Sequence, residues 1–347
     1  MSRPNPVSAA TTPSLASDRD EFERLAEPLF PVLQLHCYRL VGSLEDAEDM
    51  VQETLVKAWR NRERLADEGS ARPWLFQIAT NTCLDLLDRK RRRPTATLDE
   101  DLGWPDPIPD SWLAPGPGGS DPVESVVRRE TVGLAFLTAV QVLPPRQRAM
   151  LVLCDVLEWS ASEVAEALQT SAAAVYSGVR RARAAIRVGA PRRSPHVPSA
   201  SAQADASAVA RRYLDAWERA DATALARLLA ADARMSMPPD PRSFDGAEAI
   251  IGYFDSIFGA PPEQRIRLAR TSANGLPAFI VLAPDRATGA LHRIGLKVLL
   301  VRDRRIAEIR GYMRADLAAR FEPLDGAPKD APASRRGPQD SLKRDGC

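Results

Sequence analysis

Residues 160–187 read SASEVAEALQTSAAAVYSGVRRARAAIR, and the organisation of the chain can be worked outward from them. Ser160 followed by Glu163 is a capping box: the hydroxyl accepts from the third backbone N–H of a helix while the carboxylate reaches back to the first residue. A short helix through Leu168 follows. Gln169, Thr170 and Ser171 form a turn, and Thr170 or Ser171 caps a second helix. There Val175, Val179, Ala182 and Ile186 recur at helical spacing and define a buried stripe. Tyr176, Arg180, Arg183 and Arg187 fall on another stripe, with Ser177 and Arg181 beside it. Four Arg and no acid lie between Ser171 and Arg187. A merely solvated helix would carry both signs, whereas a one-signed face suits a major groove walled by phosphates, where Arg can also read guanine O6 and N7. The pattern is a DNA-binding helix-turn-helix.

Upstream, from Asp18 to Arg93, apolar residues keep helical spacing, as in Leu44, Ala47, Val51, Leu55 and Ala58. Gly42 ends one helix there, and Ser43 with Asp46 opens the next. That next helix carries Glu45, Asp46, Glu48, Asp49 and Glu53. Such a face gains nothing from DNA and calls for a protein partner. The region closes on Arg89, Lys90, Arg91, Arg92 and Arg93. One or two cations would complement a helix C-terminus, at about 0.3–1 kcal/mol; five in succession fit a phosphate track better.

Between these two helical domains, positions 103–122 hold six Pro and four Gly, which no helix or central strand tolerates. From Pro94 to Val127 there are seven acidic residues and no basic one, an extended anionic linker. Helical periodicity resumes from Glu124 to Val188, with Pro144 and Pro145 suited to a first helical turn. The expected divisions are a disordered leader (1–17), a helical domain (18–93), the acidic linker (94–123), the helix-turn-helix domain (124–188), a Pro/Ser linker (189–204), a third domain (205–322) and a disordered tail (323–347). The third domain opens with helical patterns at Val209–Ala220 and Thr223–Ala230, a short run at Ala233–Met237 and a helix at Ala247–Phe258. Strands follow at Arg265–Thr271, Ala278–Leu282, Ile294–Arg302 and Ile306–Tyr312, with Asn274-Gly275 and Asp303-Arg304 as turns. Helices followed by an antiparallel meander indicate an α+β fold with helices on one face of a curved sheet.

With 47 Lys plus Arg against 46 Asp plus Glu, the net charge of +1 neither attracts nor repels nucleic acid, so attraction must come from local patches. No stretch has the roughly 18–20 apolar residues of a membrane helix, and no secretory signal is legible. A cytoplasmic protein without membrane contact is expected. Cys37, Cys83, Cys154 and Cys347 are far apart in sequence with no CxxC spacing, so neither a disulfide framework nor a metal site is encoded, and the first three are read as reduced core or interface residues. No cofactor is implied.

Three ordered motifs then carry a resemblance. Asp46-Ala47-Glu48-Asp49-Met50-Val51-Gln52-Glu53-Thr54, running to Lys57-Ala58-Trp59, resembles the region 2 core-binding helix of extracytoplasmic-function (ECF) sigma factors. Arg72-Pro73-Trp74-Leu75-Phe76-Gln77-Ile78-Ala79-Thr80-Asn81, leading to Asp85 and the basic run, resembles their promoter −10 segment. Leu143-Pro144-Pro145-Arg146-Gln147-Arg148 through Arg183 resembles region 4, which reads the −35 element. The resemblance implies that Asp46, Glu48, Asp49, Gln52 and Glu53 bind the β′ clamp of core RNA polymerase, with the β flap as a further contact. It implies that Glu68, Gly69, Ser70 and Ala71 receive a flipped base, and that Asn81 with Arg89–Arg93 holds the −10 strand. Ser171, Tyr176, Ser177, Arg180, Arg181, Arg183 and Arg187 would contact −35 DNA. Trp74 is either a stacking platform or core, with core the default. Gly178 stands where relatives often carry a longer side chain, which leaves the base contacts of that helix open. The acidic linker would thread the active-site and RNA-exit cleft of the polymerase.

Ordinary members of that family end near position 188. The further residues, with Trp217, Asp221, Leu225, Leu228, Leu229 and Asp232 before Met235 and Met237, resemble the SnoaL-like cone fold, and Asn274-Gly275-Leu276-Pro277-Ala278 resembles a turn of sigma factors carrying this extension. Relatives of the cone include isomerases and cyclases, for which His292, Asp232 and Tyr312 are the available residues. No fixed spacing unites the three, so an enzyme is not expected. Trp217, Met235, Met237, Phe254, Phe258 and Phe279 line a pocket for a small-molecule ligand or simply fill the cone. The fold class implied is multidomain: two all-α helical sigma domains followed by an α+β SnoaL-like cone. The function implied is a promoter-specificity subunit regulated in cis by that cone. The alternatives are a helix-turn-helix regulator fused to a ligand-sensing domain and a SnoaL-type isomerase or cyclase.

Overall fold

The computed structural model describes residues 15–65, 68–92, 105–113, 134–189, 200–237 and 240–324. The leader up to residue 14, Arg93 and the tail beyond residue 324 lie outside the described residues. The chain divides into two compact units, and the division does not follow the sequence order. The first holds both helical domains; the second holds the C-terminal domain together with the part of the acidic linker that is described.

In the first unit, α1 (Leu15–Ala26), α2 (Phe30–Val41), α3 (Leu44–Arg60) and α4 (Ala71–Arg92) belong to the first helical domain. Gly42 ends α2 with φ +76°, and the Ser43 hydroxyl accepts from the Asp46 N–H to start α3, as expected from sequence. The apolar faces of α2, α3 and α4 meet on Leu33, Tyr38, Ala47, Met50, Phe76 and Ala79, all buried. Inside this core Thr80 donates its hydroxyl proton to the Phe76 carbonyl and so accepts from His36 Nε2 at 2.8 Å. Burial pushes the His36 imidazole down to about 3, so the ring is neutral.

The second helical domain comprises α5 (Leu134–Gln141), α6 (Pro145–Asp155), α7 (Ala161–Ala167) and α8 (Ala172–Gly189). Both halves of the Ser160–Glu163 capping box are formed. The two helical domains pack on each other through Arg148 of α6. Its guanidinium donates to the Leu40 carbonyl near the end of α2, to Gln141 Oε1, to the Gln141 carbonyl at 2.6 Å and to the Leu143 carbonyl at 3.2 Å. A cation on the last carbonyls of a helix satisfies groups that have no intrahelical partner.

The second unit is built on a six-stranded sheet in the order β2-β1-β6-β5-β4-β3. The strands are β1 (Leu229–Met237), β2 (Asp240–Asp245), β3 (Arg267–Ala273), β4 (Leu276–Pro284), β5 (Leu291–Arg302) and β6 (Arg305–Tyr312). All neighbours are antiparallel except β1 and β6. The turns expected at Asn274-Gly275 and Asp303-Arg304 have positive φ at both positions, the geometry that matches the twist of a two-residue hairpin. Helices α9 (Ala200–Glu218), α10 (Ala222–Leu228) and α11 (Ala247–Phe258) contribute to one core with the sheet, and a last short helix, α12 (Ala315–Ala318), follows β6. That core centres on Tyr213, Trp217, Phe254, Phe258, Phe279 and Leu299, so the six residues offered as pocket lining or filling are core.

Two differences from the sequence reading have local causes. Helix α9 begins at Ala200, inside the expected Pro/Ser linker, because the prolines end at position 198. Strand β2 was not expected; it carries Pro241 and pairs only with β1, and an edge strand is where proline is tolerated.

Candidate nucleic-acid interface and docked linker

On α3 the acidic residues divide between two faces. Asp49 and Gln52 are exposed, beside Glu45 and a Val56 that is 48% exposed. Asp46 and Glu53 turn toward α4, where Lys90 lies 2.6 Å from Asp46 and Arg89 3.7 Å from Glu53; Lys57, on α3 itself, lies 2.9 Å from Glu53. Glu48 is half-buried. The acidic and basic motifs of the first domain therefore neutralise each other in part. Arg91 and Arg92 remain exposed at the end of α4.

Glu68–Ser70 form a single 3₁₀ turn leading into Ala71, the buried first residue of α4. Gly69 is exposed and Ser70 half-buried. Beyond that turn, α3 and α4 enclose a cleft of about 510 Å³ lined by Lys57, Asn61, Arg64, Trp74, Gln77 and Asn81, among others. Trp74 is thus a half-buried wall of the cleft rather than core, which corrects the default drawn from its apolar neighbours Leu75, Phe76 and Ile78. Leu75 and Phe76 point the other way, into the helical core. Asn61 and Arg64 were not singled out from sequence; they lie past the acidic motif, and only the meeting of α3 with α4 brings them to Trp74. Asn81 Nδ2 donates to the Ala167 carbonyl at the end of α7, 3.3 Å away. A residue assigned to −10 DNA is therefore engaged by the second helical domain.

On α8 the Ser171 hydroxyl caps the first turn by accepting from the Ala174 N–H. Val175, Gly178, Val179 and Ala182 are buried, while Tyr176 is 70% exposed and Arg180, Arg181, Arg183 and Arg187 are exposed. A Cβ at Gly178 would clash with Met150 Sδ, so this glycine belongs to the α6–α8 contact and not to the exposed face. Arg181 donates to Ser177 Oγ at 2.7 Å. Arg183 holds Asp155 side-on, donating from Nε to Oδ2 at 3.0 Å and from Nη2 to Oδ1 at 2.7 Å.

The acidic linker, expected to be extended between domains, is docked on the C-terminal domain over residues 105–113. Ile108 and the Asn274 of the β3–β4 turn form a reciprocal pair: the Ile108 N–H donates to Asn274 Oδ1 and the Asn274 N–H donates to the Ile108 carbonyl, both at 3.0 Å. Pro109 forms an antiparallel bridge with Ala273 at the end of edge strand β3. The Gly275 N–H donates to Asp110 Oδ1 at 2.7 Å. The Tyr312 hydroxyl donates to the Pro105 carbonyl, and Arg314 holds Asp106 at 2.8 Å. Ile108 and Leu113 are buried, and Asp106 is 7% exposed.

The residues offered for cone catalysis do not converge. His292 is exposed at the start of β5, Asp232 is bound to Arg302 at 3.1 Å, and Tyr312 lies under the docked linker, its phenol pushed up to about 12 by burial. Cys37 and Cys83 meet in the core of the first domain, where burial and a hydrogen bond between the two thiols hold Cys83 well above its usual range. No helix among the described residues is long and apolar enough to cross a membrane.

Comparison with known proteins agrees with this layout. Models of sigma-70 region 2, sigma-70 region 4 and the SnoaL-like domain match residues 25–93, 133–186 and 210–309. The ECF RNA polymerase sigma factor SigG of Mycobacterium tuberculosis is 39% identical over 317 residues, covering 87% of this chain and 84% of SigG. SigJ of the same organism is 34% identical over 168 residues, 48% of this chain and 49% of SigJ. The crystal structure of SigJ superposes with a TM-score of 0.57 at 25% identity, covering 86% of this chain and 97% of that one. The chain belongs to the ECF RNA polymerase sigma factors, with a SnoaL-like domain after region 4.

Proposed function

We propose that the SnoaL-like domain controls this sigma factor by holding its inter-domain linker. The observation that carries the reading is the docking of residues 105–113 on the β3–β4 turn and the end of β6. A linker that threads the polymerase cleft cannot lie on the cone at the same time. Docking gains several hydrogen bonds, about 0.5–1.5 kcal/mol each, and two buried aliphatic side chains, about 1.5–3 kcal/mol each. Ordering a residue costs about 1–2 kcal/mol, a cost that Pro105, Pro107 and Pro109 already lower. Opposing terms of similar size make the grip releasable.

Core polymerase is engaged by the exposed part of the acidic helix, Asp49 and Gln52 first, through the β′ clamp, with the β flap as a further contact. Asp46 and Glu53 join once the α4 cations move to DNA, with the half-buried Glu48 beside them. Promoter −10 DNA meets Arg89–Arg93, Asn81 and the turn Glu68–Ala71 at the mouth of the Trp74 cleft. The −35 element meets Tyr176, Arg180, Arg181 and Arg187, with Ser171 and Ser177 beside them and Arg183 after exchanging Asp155 for phosphate. Because Asn81 is held by Ala167, the two helical domains must part before both elements are read. A stand-alone helix-turn-helix regulator has no use for the region 2 elements.

Run-off transcription with core polymerase tests the reading. Asp106→Arg and Arg314→Asp each break the grip and should raise run-off from an unchanged start site, and the double exchange should restore it. Equal activity of all four proteins would remove the linker grip as a control.

A further inference from the structure

The exposed face of α8 changes character along its length. From Ala172 to Val179 the sequence reads AAAVYSGV, with no Arg, Lys, Asn, Gln, Asp or Glu, whereas Arg180 to Arg187 carries four Arg. Val175, Gly178 and Val179 face the core, which leaves Ala173 and Tyr176 exposed in the first two turns beside the half-buried Ala172, Ala174 and Ser177. The Ser171 hydroxyl serves the helix cap, and Ser177 Oγ accepts from Arg181. Tyr176, at 70% exposure, is the most exposed large apolar side chain among the described residues. Ala173 precedes it by three residues, so the methyl and the ring are neighbours on one helix face.

In a helix-turn-helix the N-terminal residues of the second helix are the ones that reach base edges. The major-groove code then narrows what these residues can read. Guanine is held by Arg or Lys, adenine by Asn or Gln and cytosine by a carboxylate, while thymine offers its 5-methyl group to apolar side chains. The first two turns of α8 hold none of the first three kinds of side chain. What they present is an aromatic ring and alanine methyls. Arg180 lies eight residues past the first helical position, about 12 Å along the axis, and Arg183 is occupied by Asp155. The cations are thus set back from the end of the helix that enters deepest.

We propose that Ala173 and Tyr176 select thymine in the −35 element by covering its 5-methyl group, and that the Arg side chains of the second half hold phosphates and supply affinity without base preference. The proposal rests on α8 being the reader of that element. Charge fixes the occupant: four Arg and no carboxylate between Ser171 and Arg187 suit a polyanionic backbone. The apolar surface within that cationic face suits the one base that carries a methyl into the major groove. Covering the methyl removes two apolar surfaces from water, the ring and the methyl, and leaves no polar group of the protein unpaired.

Holoenzyme assembled from core polymerase and the full-length protein is used to select promoters randomised over the −35 element. In the selected element each thymine is then replaced singly by deoxyuridine, which removes the methyl and keeps the base pair. At one thymine or more the exchange should weaken holoenzyme binding about 4-fold, the worth of one buried methyl. Tyr176→Ala should bind thymine and uridine at that position equally, and Tyr176→Phe should keep the difference, since the ring makes the contact. Ala173→Gly should reduce the difference at the same base or the next. Arg180→Ala should weaken all −35 sequences alike and flatten the salt dependence. A selected element without an A·T pair, uridine exchanges that change nothing, or an altered base preference in Arg180→Ala would overturn the proposal. Arg180→Ala combined with Arg187→Ala separates the two levels. If that variant depended on the −35 element as the parent does, α8 would not be its reader and both assignments would fall. If it lost that dependence while uridine changed nothing, the methyl contact alone would fall.

Discussion

Lys297 and His36 are buried bases whose charged forms burial disfavours, and each makes its own unit sensitive to pH. Lys297 is lowered to about 7 and His36 to about 3, in both cases mainly by burial. Between the folded and unfolded pKa of such a group the unfolded chain binds more protons, so stability rises with pH across that window. For Lys297 the window runs from about 7 to the unfolded value of about 10.4. Lys297→Met should therefore stabilise the C-terminal unit by a few kcal/mol at pH 7, and the gain should shrink toward pH 10. Urea denaturation at several pH values checks this, and a gain that did not change with pH would show that Lys297 carries its proton in the folded state. For His36 the window is about 3 to 6.5, so the first unit should weaken as pH falls below about 6.5. At Gly178 the missing side chain serves the contact with Met150, and the omission says nothing about base reading.

Element by element, the charged helices behave less simply than their composition. The exposed edge of α3 has its own identity: Asp49 is exposed on it, whereas Asp46 is tied to Lys90 across to α4. Asp49→Lys should lower affinity for core polymerase about 10-fold or more, the effect of like charge at an interface, while leaving the melting temperature unchanged. Asp46→Lys should instead cost a small amount of stability, about 1 kcal/mol, because Lys90, its partner, is exposed to solvent. Pull-down of core polymerase and thermal melts of the two variants separate these outcomes. The α2–α6 contact depends on Arg148, whose burial lowers its pKa to about 10 and whose removal strands the Leu40, Gln141 and Leu143 carbonyls. An unsatisfied buried carbonyl costs about 1–3 kcal/mol, so Arg148→Ala should let region 4 swing away from region 2. A distance label on each of α3 and α8 in the full chain reads this, and an unchanged label distance would rule Arg148 out as the latch.

For the whole molecule the decisive arrangement is that a segment from between regions 2 and 4 belongs to the C-terminal unit. Asn274 holds it with both its side chain and its backbone while sitting at φ +54°, a conformation that Asn and Gly tolerate. Asn274→Gly keeps the hairpin turn and deletes the acceptor for the Ile108 N–H. Hydrogen exchange at Ile108 should then speed up by about 5–10-fold, the worth of one hydrogen bond, while the strand amides of β4 and β5 keep their protection. Equal exchange in the variant and the parent would mean that the linker is held without this pair. Removal of residues 205–347 should change transcription activity without changing the promoter used, since the elements assigned to promoter reading precede residue 188.

Much of this was legible in the chain alone, and for a shared reason: helix caps, hairpin turns and apolar periodicity act over fewer than ten residues. The Ser160–Glu163 box, the Gly42 stop, the Ser43 cap and the turns at Asn274-Gly275 and Asp303-Arg304 each depend on neighbours in sequence, so residue types at a given spacing suffice to name them. What the tertiary structure alone decided are pairings across long separations. Asp46 finding Lys90, Trp74 facing a cleft instead of the core, Asn81 meeting Ala167 and Cys37 meeting Cys83 are set by how helices cross, which no local pattern encodes. The linker is the extreme case. Its composition speaks against an α-helix or a central strand, and over the described residues 105–113 it forms an extended stretch and one 3₁₀ turn, Asp110–Leu113; Pro-rich chain also has little ordering entropy left to lose, and so it could be claimed by an edge strand more than 160 residues away.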